Sequence, residues 1–87
     1  MRAAILDMEH GPTSLQEMQN NIRAAQVSGM VPIVRVPALS ETAISQALDI
    51  GAAGVQIPQI STAEGAREAV RAFLNAGSTR EIIFTRN

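Results

Sequence analysis

Apolar residues gather in three short runs, 3–8, 31–36 and 53–57, each dominated by Ile, Val, Leu or Ala and each nearly unbroken. A strand with one wet face alternates polar and apolar positions, whereas an unbroken run suits a parallel strand covered on both faces. The three runs therefore predict three such strands.

Between and after them the apolar spacing changes to that of a helix. Ser14 with Glu17 three residues on has the spacing of a capping box, and Leu15, Met18, Ile22 and Ala25 then recur on one face toward a stop near Gly29. A second helix is expected from Ser40, with Ile44, Ala47 and Leu48 inward and a stop at Gly51, where a left-handed C-terminal residue is cheap. A third is expected from Ser61, with Glu64 at capping-box spacing and Ala66, Ala69, Val70 and Phe73 inward toward Gly77. A short fourth strand is expected at 81–85.

The order strand, helix, strand, helix, strand, helix implies successive right-handed parallel units. Strand positions recur about every 22 to 29 residues, an architectural βα repeat without a repeat in the residues themselves. Nothing in the chain resembles a linker, so residues 1–87 read as one domain. The pattern fits either a small doubly wound sheet or consecutive units of a (β/α)8 barrel, which as a whole needs about 250 residues.

Composition narrows the field. Phe73 and Phe84 are the only aromatic residues, so the core has to be built from aliphatic side chains and many Ala, which favours helices packed closely on a sheet. Seven basic residues lie scattered among eight acidic ones, leaving no basic field for nucleic acid. Cysteine is absent, which excludes disulfides, thiolate metal sites and cysteine redox chemistry and fits a cytoplasmic protein. No apolar run approaches the roughly 20 residues that a membrane-spanning helix needs, so no membrane partner is expected.

Active sites in both candidate architectures form beyond the carboxyl ends of the strands. Those ends hold Asp7, Glu9 and His10, then Arg35, then Gln56 and Gln59. His10, the single histidine, is close in sequence to two carboxylates at a strand mouth, where it can serve as a general base near neutral pH or as a structural residue. Arg35 lies inside the apolar run VPIVRVP, so its guanidinium requires either a bound anion or a carboxylate such as Asp7 or Glu9. Pro37 and Pro58 read as strand terminators, and Met8, Met18 and Met30 as packing. Asp49 near the end of the second helix opposes the helix dipole, for which a local turn role is the simplest account.

Taken together and in order, LDMEHGP, PIVRVP, ALDIGAAGVQIPQI and TAEGAREAVRA resemble the corresponding stretch of the HpcH/HpaI aldolase family, over residues 3–72. The resemblance implies α/β architecture as part of a (β/α)8 barrel. It also implies a lyase in which a divalent cation (magnesium, manganese or cobalt) binds a pyruvate-type 2-oxo acid as its enolate, to be joined to an aldehyde or released from an aldol. His10 would correspond to the catalytic base, Arg35 to the arginine that steadies the oxo and enolate oxygen, and Asp49 to the acid that raises the basicity of the histidine. Asp7 and Glu9 match acidic positions beside the metal and its waters, while the direct metal ligands of the family lie on later strands.

Related members with similar DMEHGP and VRVP segments instead form citrate for siderophores. A different expectation is a non-catalytic remnant that serves as an assembly or binding module. An unclosed sheet would have exposed edges, so the isolated chain is expected to form homo-oligomers or remain partly disordered, and without the carboxylates that hold the metal in the family it is expected to be inactive.

Overall fold

In a computed structural model, residues 2–8, 14–75 and 81–84 are described. They form β1 (Ala3–Asp7), α1 (Leu15–Val27), β2 (Val31–Arg35), α2 (Glu41–Asp49), β3 (Gly54–Ile57), α3 (Ala63–Asn75) and β4 (Glu81–Phe84). The expected fourth strand is thus present, and each of the other three falls within its apolar run. β1 and β2 end a residue short of their runs and β3 starts a residue inside its own, although backbone bonds continue past β1 and β2 from Met8 N to Arg35 O and from Val36 N to Gln56 O, both 3.0 Å.

The helix ends follow from local chemistry. Ser14 Oγ accepts from Glu17 N at 3.1 Å and Ser40 Oγ from Ala43 N at 3.2 Å, each satisfying one of the donors that a helix leaves unpaired at its start. The third helix departs from expectation. It begins at Ala63, and Thr62 Oγ1, not Ser61, accepts from Gly65 N at 2.9 Å.

α1 and α2 finish identically. Met30 N bonds to Ala25 O and Gly29 N to Gln26 O; Ala52 N bonds to Ala47 O and Gly51 N to Leu48 O. This paired pattern is the Schellman closure, which requires a left-handed residue after the helix. Gly29 (φ 77°) and Gly51 (φ 108°) supply it.

All four strands are parallel, in the spatial order β1-β2-β3-β4. The register aligns Leu6 with Val34, Val34 with Val55 and Val55 with Ile82, so these residues share one face. That face and its extension, Met8, Val36 and Ile57, pack in one cluster with Met18 and Ile22 of α1, Ile44, Ala47 and Leu48 of α2, and Ala69 and Phe73 of α3. All three helices therefore cover the same side. A doubly wound sheet reverses its strand order and carries helices on both sides; this singly wound arrangement is that of consecutive (β/α)8 barrel units. Two expected inward residues depart from the pattern, since Leu15 is 42% exposed and Val70 39%. Val70 instead lines an open groove with Ala66 and Leu74 on the outside of α3.

Pro32 sits inside the central strand β2 without harming it. Val31 N bonds toward β1, so the missing N–H of Pro32 would face the β3 side, where Pro32 contributes only its carbonyl, which accepts from Ala53 N at 2.9 Å.

Candidate active site

The face turned away from the helices is mostly apolar until the carboxyl ends of the strands. There the register lines up Asp7, Arg35, Gln56 and Ile83, one residue from each strand, in a single row. Below it run Ile5, Ile33 and Gly54. Parallel pairing puts row members about 4.8 Å apart along the backbone. Three polar side chains thus meet on one face because three strands happen to be in this register.

Arg35 Nη1 stands 3.5 Å from Asp7 Oδ2, so the Asp7 carboxylate is a partner of Arg35 among the described residues. The side chains keep 37% and 28% exposure respectively, and a guanidinium has five N–H donors, so this pairing leaves Arg35 able to receive a further anionic oxygen. Asp7 has at least one interaction besides this pair.

Glu9 and His10 lie outside the described residues, and with them the placement of the base expected beside Arg35. Asp49 is described and does not join the row. It is the exposed last residue of α2, and α2 runs back from the carboxyl end of β2 to the start of β3. That puts Asp49 at the amino end of the sheet, opposite Arg35, so within one chain it stands apart from Asp7 and Arg35.

Among the described residues, no group of three or more His, Asp or Glu side chains could hold a metal ion. Asp7, the described carboxylate of the row, is already turned to Arg35. The described residues therefore do not fit a metal centre by themselves.

Gln56 and Gln59 gain importance from the fold. Gln56, only 8% exposed, is the buried polar residue among those described. Gln59, exposed and directly after Pro58, takes φ 61°, a left-handed conformation that costs a residue with a Cβ roughly 1–2 kcal/mol. Polarity at a strand end was the only sequence signal for either.

A singly wound parallel sheet covered by helices on one side is the framework of consecutive (β/α)8 barrel units. Residues 3–82 match the HpcH/HpaI aldolase/citrate lyase family, and the chain belongs to that family. It is 40% identical over 68 residues to the 2-dehydro-3,6-dideoxy-6-sulfogluconate aldolase of Pseudomonas putida, which covers 78% of this chain and 27% of that protein. With the hydroxypyruvate/pyruvate aldolase of Roseobacter denitrificans the identity is 38% over 68 residues, with the same coverage, 78% and 27%. The crystal structure of an HpcH/HpaI aldolase/citrate lyase family protein from Burkholderia cenocepacia superposes with a TM-score of 0.68 at 36% identity, over 78% of this chain and 27% of that one. The chain spans about a quarter of the length of the relatives it matches. Among the described residues no helix is long and apolar enough to cross a membrane.

Proposed function

We propose that this chain is the segment of a cytoplasmic, metal-dependent carbon–carbon lyase that carries its base and its anion-binding arginine, acting on aldols of a pyruvate-type 2-oxo acid and an aldehyde. The row formed by Asp7 and Arg35 at the carboxyl ends of β1 and β2 is the observation that supports this most directly. Both similar aldolases have names that fit such chemistry, one of them a 2-dehydro sugar acid aldolase and the other a hydroxypyruvate/pyruvate aldolase.

In the cleavage direction His10 takes the proton of the aldol hydroxyl as the carbon–carbon bond breaks. The electron pair of that bond passes to the 2-oxo acid, which leaves as its enolate, and the aldehyde is released. Arg35 donates to the oxygen on which the enolate charge collects, an interaction that strengthens as the charge develops. Arginine suits this place because it cannot give up its own proton near neutral pH. The divalent magnesium, manganese or cobalt ion implied by the family resemblance would need donors beyond the described residues, and no step above runs through it.

The test is a chimera in which the 68 matched residues of the Roseobacter denitrificans aldolase are replaced by their counterparts here. The chimera is expected to release pyruvate from an aldol substrate. His10→Ala should lower turnover about 10²-fold or more, the scale for loss of a general base. A folded chimera whose turnover stays within a few fold after His10→Ala and after Arg35→Leu would refute the assignment.

A further inference from the structure

Gln56 has no role in the chemistry above, and its position is unusual for a residue without one. It lies beside Arg35 in the polar row, on the next strand and on the same face. It is more than nine-tenths buried. Its backbone oxygen accepts from Val36 N at 3.0 Å, while its side-chain amide makes no hydrogen bond among the described residues. Yet no buried side-chain nitrogen or oxygen there lacks a partner, so the polar end of Gln56 must reach the accessible surface of that face. A glutamine whose packed stem holds its amide at that surface gives the amide few positions to choose from, so it is aimed in advance at whatever binds beside Arg35 and loses little freedom on binding.

We propose that Gln56 is a ligand-binding residue that works with Arg35 to recognise a carboxylate carrying a second oxygen on the neighbouring carbon. Arg35 holds one oxygen by charge-assisted donation. The Gln56 amide, one strand spacing away, donates an N–H to the adjacent oxygen. This pair selects 2-oxo acids over simple carboxylates, since a ligand with a single carboxylate and no neighbouring oxygen can satisfy Arg35 but leaves Gln56 unpaired. Asp7 stands on the other side of Arg35 and offers only acceptors, so it steadies the guanidinium and repels any second anion from that side. The inference deepens the proposed function, on whose placement of an anion at Arg35 it rests.

Calorimetric titration of the chimera described above, without added metal, with oxalate, which has the paired oxygens, and with acetate, which lacks the second pair, tests the idea. Far-UV circular dichroism checks that each variant keeps its secondary structure. Gln56→Leu should weaken oxalate about tenfold, as expected for loss of one hydrogen bond to a charged group, and leave acetate within about twofold. Gln56→Glu, which keeps the size but loses the donors and adds a negative charge, should weaken oxalate further. Equal losses for both anions, or no loss for either, would overturn the role of Gln56, as would an unsubstituted, folded chimera that binds no oxalate. Arg35→Leu separates the two levels of inference. If it leaves oxalate binding intact, the placement of the anion at Arg35 fails; if it abolishes binding while Gln56→Leu does nothing, only the role of Gln56 fails.

Discussion

The ion pair between Asp7 and Arg35 can be a structural clamp or a poised binding group, and its strength distinguishes the two. At 3.5 Å the bare attraction is about 1 kcal/mol in a water-like medium and about 5 kcal/mol at the effective dielectric of a protein surface. Both side chains retain access to water, at 37% and 28%, so solvation and side-chain entropy cancel most of this. The net coupling should fall at about 0.2–1 kcal/mol, the range of exposed pairs, and not at the 3–5 kcal/mol lost when a buried pair is broken. A double-mutant cycle with Asp7→Ala, Arg35→Ala and the double variant, read by urea unfolding followed by circular dichroism, measures it. The cycle matters because Asp7 has further interactions, so the single variant alone would overstate the pair. Repeating the cycle in about 1 M salt, where the screening length drops to about 3 Å, should reduce the coupling further. A coupling above about 3 kcal/mol that salt does not change would refute this reasoning and make Arg35 a structural residue.

Three more outcomes are expected. Gly51→Ala should destabilise the chain by roughly 1–3 kcal/mol in the same unfolding assay, the range for a side chain forced into an unfavourable backbone region; the new Cβ would sit 3.6 Å from Ile22, an ordinary contact, so the cost comes from φ 108° and not from collision. Thr62→Ala should cost about 1 kcal/mol and Ser61→Ala almost nothing, which thermal unfolding of the two variants would compare. The 87-residue chain alone should show no manganese-dependent pyruvate release and should scatter light as an oligomer or a partly disordered species, because β1 and β4 present open edges with Ile5 57% and Ile83 40% exposed; a compact monomer with metal-dependent turnover would contradict this.

The features that were legible in the sequence are those set by a few consecutive residues. Ser14, Ser40, Gly29 and Gly51 mark helix ends because capping and left-handed closure depend on the local chain alone. The start of α3 was misplaced by one residue for the same reason, since Ser61 and Thr62 can both cap and Glu64 lies at capping-box distance from the former. Cross-strand relations were harder. That Asp7 lies within reach of Arg35 followed only from the register that paired β1 with β2. Gln56 was an unremarkable polar residue until β3 set it beside Arg35. Asp49 shows the converse limit, because a motif can resemble that of a family site while the direction of its helix carries it to the other end of the sheet. Val70 kept the spacing of a buried residue but faces outward, as apolar periodicity does not tell which of two neighbouring faces a helix will bury.

Gly29 and Gly51 stop their helices at the amino end of the sheet, while Asp7, Arg35 and Gln56 stand at the other. The connections at the two ends are therefore under different demands. A turn that must deliver the chain into a strand within two or three residues tolerates almost no change in length. The stretch from Val36 to Ser40 has no such obligation, since Ser40 starts its helix with its own hydroxyl wherever the preceding residues run. Lengthening or exchanging that stretch should alter what approaches Arg35 while the strands keep their spacing, which makes it the natural place to graft a new ligand preference.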